Sequence, residues 1–229
     1  MIGIIGAMEE EVQALLELMN VHKTEERLSY KYHIGTIANK ECVLVQGGIG
    51  KVNAAISATL LFEHYTPELL INIGSACGLS MDQEVGDVVI STQVGYHDVD
   101  VTAFNYEYGQ MAGAPQYFEA DDKLIALTKE VLAKQNITAH TGLVVSGDAF
   151  IARNEQVDHI KHYFSDAACA EMEAAAIAQV CYTYHIPFII TRSLSDIFGK
   201  GDNEVQFDVY LQKASQASAK MCYSLIESL

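Results

Sequence analysis

The sequence predicts an α/β fold, a three-layer α/β/α sandwich around a mixed central β-sheet. Short apolar runs alternate along the chain with longer stretches whose apolar residues recur at helical spacing, the pattern of strands and helices in turn. Four of the apolar runs end in clusters of glycine, serine and acid, as strands do where an α/β sheet presents a ligand site. A hairpin-like junction near residues 29–46 makes the sheet mixed instead of purely parallel.

Each element follows from its local pattern. "IGIIG" (2–6) reads as a short buried strand, and Met8, Val12, Leu15, Leu16 and Met19 then recur at helical spacing. "SYKYHIGTIA" and "ECVLVQ" flank Asn39–Lys40 as the two arms of the hairpin. "KVNAAISATLLFEHY" (51–65) reads as a helix, "ELLINIG" (68–74) as a buried strand and "GDVVIST" (86–92) as another. Residues 121–134 read as a helix, "GLVVSGD" (142–148) as a strand, and "AEMEAAAIAQV" (170–180) as a helix after a short strand. "PFIITRSLSD" (187–196) is a strand ending in polar residues, and the last ~25 residues form a long helix. No low-complexity linker, charge block or repeat interrupts the chain, so residues 1–229 are expected to form one domain.

Composition narrows the function. Half of the 229 residues are hydrophobic and 19% are charged, a globular balance. Thirty acidic residues against 14 basic ones give a net charge of −16, which repels nucleic acid and anionic membranes, so neither is an expected partner. The five cysteines (42, 77, 169, 181 and 222) are odd in number and form no CxxC pair, which reads as reduced thiols in a cytoplasmic protein. The N-terminal apolar run lacks a basic flank and meets Glu9–Glu11 at once, so it reads as a strand and not as a signal peptide. No apolar run approaches the ~20 residues of a membrane helix.

Several chemistries fall away on motif grounds. "GGIGKV" (47–52) is not a phosphate loop, because Val52 stands where Ser or Thr should follow Gly50–Lys51. "HDVD" (97–100) is an incomplete metal-ligand set and reads as a hydrogen-bonded loop. No HExxH, GxSxG or first-strand GxGxxG is present. What remains are acids at strand ends. Glu11 and Glu9 border the two edges of the first helix's apolar stripe, and spacing does not choose between them; either also fits a solvated first turn that complements the helix dipole. Glu173 falls on a stripe with Ile177, Val180 and Tyr184, where a carboxylate needs hydrogen-bond donors, from backbone or ligand. Asp196 reads as a helix N-cap or as a site acid. Together, with Arg192 nearby, these acids suggest acid/base work on a polar small molecule.

"MIGIIGAMEEEV", "GGIGKVNAA", "NIGSACG", "VGDVVIS", "YHDVDVTAFNYEYGQ", "GLVVSGDAFI", "AEMEAAAIAQVC" and "RSLSD" resemble, in order and over nearly the whole chain, the 5′-methylthioadenosine/S-adenosylhomocysteine nucleosidases. The resemblance implies a nucleoside phosphorylase-like fold and hydrolysis of the bond between adenine and a 5′-thio-substituted ribose, in methionine salvage and the recycling of S-adenosylmethionine by-products. It implies no cofactor and no metal. It makes Asp196 the general acid for adenine N7, Glu11 the base that positions water, and Glu173 the acceptor for the ribose hydroxyls. Arg192 and Ser75 would hold the water and ribose side, with Ala76, Cys77 and Ser195 beside them. Phe150 would stack on adenine, Ile151 would read its edge through the backbone, and Met8, Ile49, Met172 and Phe207 would surround the 5′ end. Val101 and Phe104 would close that end from the neighbouring subunit of a homodimer. Glu171 is expected to be structural.

The chain departs from its relatives at Gly48, where serine is common, at Cys77, where glycine or alanine is usual near the sugar, and at Ala112, where proline is expected. The loop at 197–206 is one residue longer. Two enzymes compete with this reading, a phosphorylase of the same fold and an aminofutalosine nucleosidase; a non-catalytic nucleoside sensor is a third class. The phosphorylase would need arginines for phosphate. Only Arg27, Arg153 and Arg192 exist, and only Arg192 is expected near the sugar.

Overall fold

The computed structural model describes residues 1–201 and 203–229. β1 (Ile2–Gly6) is buried along its whole length, as a continuous apolar run in a central strand should be. α1 (Glu9–Leu16) ends earlier than the apolar spacing suggests, and Met19 packs into the core from beyond its end. β2 (Asn20–Arg27) has no counterpart in the sequence reading. Its residues are almost all exposed, so it carries none of the inside–outside alternation that marks a strand. β3 (Tyr30–Ile37) and β4 (Lys40–Gln46) form the expected hairpin, joined by Ala38 and Asn39. Both turn residues have positive φ (48° and 64°), the conformation that matches a two-residue turn to the strand twist.

α2 (Lys51–Tyr65), β5 (Leu69–Asn72), β6 (Ser75–Gly78), β7 (Val88–Tyr96) and β8 (Tyr117–Glu119) follow, then α3 (Asp122–Lys134), β9 (Ala139–Ser146) and α4 (Asn154–Tyr163). β10 (Ala167–Glu171), α5 (Ala174–Tyr184), β11 (Phe188–Ile197) and α6 (Asn203–Ser228) complete the order. The sequence reading lacked β6, β8 and α4, and it made "GSACG" a polar strand end where the structure builds β6. Asp121 caps α3 by accepting from the amides of Lys123 and Leu124 at 2.9 and 3.0 Å.

Among the described residues the strands form one sheet in the order β2-β3-β4-β1-β5-β11-β6-β10-β9-β7-β8, with β7 also pairing to β11. That extra pairing closes β11, β6, β10, β9 and β7 into a ring, so half of the mixed sheet curls into a small barrel. The central pairs β4–β1, β1–β5 and β5–β11 are parallel, and the hairpin strands are antiparallel. α1 and α3 pack with α6, while α2 packs with α5, giving the two helical layers.

β11 is buried at every position and carries a bulge at Ser195 where it pairs with β6. Leu194 stands opposite Ala76 and Asp196 opposite Cys77, with Ser195 unpaired between them. A bulge breaks the alternation of side chains, which lets the consecutive residues Ser195 and Asp196 face one cavity. Asp196 therefore lies inside a strand and is not a helix N-cap.

Candidate active site

A cavity of about 320 Å³ opens at the carboxyl ends of β1, β5, β9 and β10 and along β11. Fourteen of the sixteen residues anticipated from the sequence line it: Met8, Glu11, Ile49, Ser75, Ala76, Cys77, Phe150, Ile151, Met172, Glu173, Arg192, Ser195, Asp196 and Phe207. Val101 and Phe104 do not. Val101 packs against the core and Phe104, in a short 3-10 turn (Thr102–Phe104), is 74% exposed.

The structure resolves the choice between Glu9 and Glu11: Glu9 is exposed and Glu11 is 2% exposed. The first turn of α1 bends the Glu11 carboxylate back onto the chain, where Oε2 accepts from the amides of Ala7 and Met8 at 2.8 and 3.1 Å. Oε1 accepts from the amide of Ser75 at 3.1 Å. Burial nevertheless raises its pKa, and the amides and the nearby Arg192 charge only partly offset this. Gly74 lies between Glu11 and Arg192; a Cβ there would stand 3.3 Å from Glu11 Oε1 and 3.4 Å from Arg192 Cζ.

"AEMEAAAIAQV" is a strand end, a turn and a helix, not one continuous helix. Glu171 ends β10, and Glu173 occupies the N-cap position of α5 (φ −131°, ψ −37°) without capping it. Glu171 caps instead, accepting from the amides of Glu173 (3.0 Å) and Ala174 (2.9 Å), from Ser146 Oγ, and from Arg192 Nη2 at 2.6 Å. Arg192 Nη2 also donates to Asn72 Oδ1 at 2.6 Å. This leaves the Glu173 carboxylate free of the ion pair. Its one hydrogen bond among the described residues is from the amide of Gly50 at 2.8 Å, at the N-terminus of α2. Gly50 has φ +91°, so "GGIGKV" is the loop that wraps this carboxylate. Burial first, and the neighbouring Glu171 charge second, push the Glu173 pKa up to about 8.

Asp196 is 1% exposed. Its Oδ1 accepts from Ser195 Oγ at 2.7 Å and its Oδ2 from Asn203 Nδ2 at 2.6 Å. The Cys77 thiol, which lines the cavity, sits beside Asp196 and Asn203, and burial holds it in the neutral form. Asn203 has no counterpart in the sequence reading, because its contact with Asp196 is made across the 197–206 segment and leaves no pattern in the sequence. Residue 202 of that loop lies outside the described residues.

Aromatic and apolar side chains form the remaining walls. Phe150 and Phe207 meet edge to face with centroids 5.6 Å apart. Ile151 is buried, Met8 and Met172 are half-buried, and Ile49 is 54% exposed. Asp98 of "HDVD" accepts from Lys51 Nζ at 2.7 Å and from the Asp148 amide at 2.9 Å, the hydrogen-bonded loop that the sequence suggested. Acids held by backbone donors on one wall, an acid held by side chains on another, and a pair of rings between them suit acid/base chemistry on a planar, polar small molecule.

Comparison with known proteins places this chain and its fold in a class. The phosphorylase superfamily model matches residues 1–229. A curated 5′-methylthioadenosine/S-adenosylhomocysteine nucleosidase of Bacillus cereus (strain B4264) is 48% identical over 229 residues, 100% of this chain and 99% of the relative. The chain belongs to that nucleosidase family within the superfamily. The Neisseria meningitidis nucleosidase, solved in complex with methylthio-immucillin-A, superposes with a TM-score of 0.95 at 40% identity, covering 100% of this chain and 99% of that one. A futalosine hydrolase of Helicobacter pylori superposes with a TM-score of 0.93 at 33% identity, covering 100% and 97%.

Proposed function

We propose that the protein hydrolyses the N-glycosidic bond of 5′-methylthioadenosine and S-adenosylhomocysteine, with 5′-deoxyadenosine as a further substrate, releasing adenine and the 5-substituted ribose. Residues 1–229 act as one domain. The observation that carries the reading is the convergence of Glu11, Glu173 and Asp196 on one cavity that also holds the Phe150–Phe207 pair.

In this mechanism adenine stacks on Phe150 and the bond from C1′ to N9 breaks with its electron pair going to the base. Asp196, as general acid, supplies a proton at N7, so adenine leaves neutral. The ribose becomes cationic. Glu173 accepts from its hydroxyls, and the benefit of that negative charge grows as the ring becomes positive. Glu11 orients water toward C1′ and takes its proton; burial, which raises its pKa, makes it a stronger base than a free carboxylate. Ser75 and Arg192 line the same wall.

Water is favoured over phosphate as the nucleophile. Both Nη atoms of Arg192 are already engaged by Glu171, Asn72 and the Thr191 carbonyl. Arg27 is paired with Glu25 on β2, and Arg153 is exposed outside the cavity. No arginine fork is left for phosphate oxygens. The similarity to nucleosidases at 47–48% identity, against 33% for the futalosine hydrolase, favours thio-substituted adenosines over aminofutalosine.

A homodimer in the cytoplasm completes the proposal. Phe104, Val52 and Met111 are exposed, at 74%, 69% and 41%, and Val52 and Met111 line a shallow groove on α2 and α5 where a second subunit would pack. All five cysteines are free and buried, which supports a reducing compartment. No described helix is long and apolar enough to cross a membrane. The test is release of adenine from methylthioadenosine in phosphate-free buffer. Ribose 1-phosphate products, or a strict need for phosphate, would overturn hydrolysis.

A further inference from the structure

The first two turns of α6 carry two residues that meet the site from different sides. Phe207 lines the cavity against Phe150, while Asn203, 6% exposed, sits behind Asp196 and does not line the cavity. They are four residues apart, hence neighbours on one helix face. The Asn203 amide nitrogen has two hydrogens. It lies 2.6 Å from Asp196 Oδ2 and 3.4 Å from Cys77 Sγ, so both hydrogens have an acceptor. That pair of contacts fixes which end of the amide faces the carboxylate. The strand pairing supplies the same constraint from below, because Cys77 stands opposite Asp196 across β6 and β11.

Ile197 and Lys200, ahead of this helix, are tied down independently. Gln206 Oε1 accepts from the Ile197 amide at 3.0 Å, and its Nε2 donates to the Lys200 carbonyl at 2.8 Å. Lys200 Nζ in turn donates to the Gln83 carbonyl at 2.7 Å.

We propose that Asn203 is a positioning residue for Asp196, oriented by the Cys77 thiol, so that the helical turn bringing Phe207 over the base site also aligns the acid that serves the base. The proposal rests on the hydrolytic reading given above. With Ser195 on Oδ1 and Asn203 on Oδ2, the carboxyl group is fixed about both its torsions. Removing Asn203 leaves Ser195 alone to hold it, and the acid loses its alignment toward the leaving group while the water and ribose side is untouched.

That separation defines the test. Two substrates are compared: methylthioadenosine, whose adenine needs a proton to leave, and the p-nitrophenyl 5-methylthioriboside, whose nitrophenolate leaves without one. A hydrogen bond to a carboxylate of this kind is worth roughly 10- to 100-fold. Asn203→Ala is expected to lower kcat on methylthioadenosine by about that factor, with KM nearly unchanged and the nitrophenyl substrate within about twofold of the native rate. Asn203→Leu, of similar volume but without a donor, is expected to show the same selectivity and serves if the alanine variant folds poorly. Cys77→Ala is expected to give a smaller loss with the same selectivity. Equal losses on both substrates, or no loss on either, would overturn the positioning role of Asn203; an unchanged Cys77→Ala would overturn the thiol's part. Asp196→Asn is the control for the underlying reading: it must lose methylthioadenosine turnover and keep the nitrophenyl reaction. If it loses both alike, the acid assignment fails and the positioning role of Asn203 falls with it, whereas failure in the Asn203 variants alone overturns only the positioning role.

Discussion

Arg192 and Glu171 form an ion pair at 2.6 Å with both side chains almost fully buried. Glu171 also caps α5 and binds Ser146, so the pair ties β10, β11 and the helix that begins at residue 174 into one rigid corner. Among the acids that line the cavity, the pair leaves Glu11, Glu173 and Asp196 without a directly bonded cation, and these are the three assigned to chemistry. These carboxyl groups place oxygen acceptors, free of any paired cation, around a transition state that becomes positive.

Breaking this pair should be costly. Glu171→Gln leaves Arg192 charged, buried and without its counterion, which typically costs about 3–5 kcal/mol. Urea denaturation is expected to show a loss of that size with an unchanged m-value. A loss below about 1 kcal/mol would mean that water or Glu173 takes over the pairing.

The acids themselves should separate by role. Asp196→Asn and Glu11→Gln are each expected to lower kcat by about 10²–10⁴-fold. Glu173→Gln can still accept from a hydroxyl but loses the charge that faces the cationic ribose, so its loss should fall mainly on kcat with a smaller change in KM. Glu9→Gln, on the exposed side of α1, is expected to stay near the native rate. If Glu9→Gln abolishes turnover while Glu11→Gln does not, the base is misassigned; steady-state kinetics on methylthioadenosine decide it.

Much of this was legible in the sequence where burial writes a pattern. β1, α2 and β11 are nearly all where apolar runs and helical spacing put them. β2 was not legible because an exposed edge strand has no buried face to record. β6 was not, because "SACG" is short and lacks β-branched residues. At the site, Glu11 and Glu9 could not be told apart, since the difference lies in three backbone amides contributed by Ala7, Met8 and Ser75. The bulge at Ser195 and the reach of Asn203 to Asp196 are tertiary facts, set by the pairing of β6 with β11 and by where α6 begins.

The exposed ring of Phe104 should matter to a neighbour more than to its own fold. Phe104→Ala is expected to leave Tm nearly unchanged, as surface substitutions usually do, and to raise KM for methylthioadenosine. Light scattering that shows a fully active monomer would contradict the subunit-crossing role of Val101 and Phe104.

Stability should fall with rising pH on account of Glu173. Its pKa is raised from 4.5 to about 8, chiefly by burial. A group raised in the folded state contributes stability that is complete below its unfolded pKa and is lost as pH climbs through the folded value. The window is therefore from about pH 4.5 to about pH 8. Buried His97 works in the opposite sense: its pKa is lowered by desolvation, so it costs stability as pH falls below its ordinary value of 6.5. The difference between native protein and Glu173→Gln isolates the carboxylate. Gln keeps an oxygen for the Gly50 amide and puts a neutral NH₂ where the anion stood. Thermal melts of the ligand-free proteins are expected to differ little at pH 5 and to diverge by pH 9, with Glu173→Gln the more stable, by about 2–4 °C for each kcal/mol recovered. Parallel melting curves across that range would mean that Glu173 is not held as a buried, desolvated acid. A native protein carrying this penalty gives up stability at the position where the reaction needs a negative charge, and the variant that regains the stability should be the one that has lost kcat.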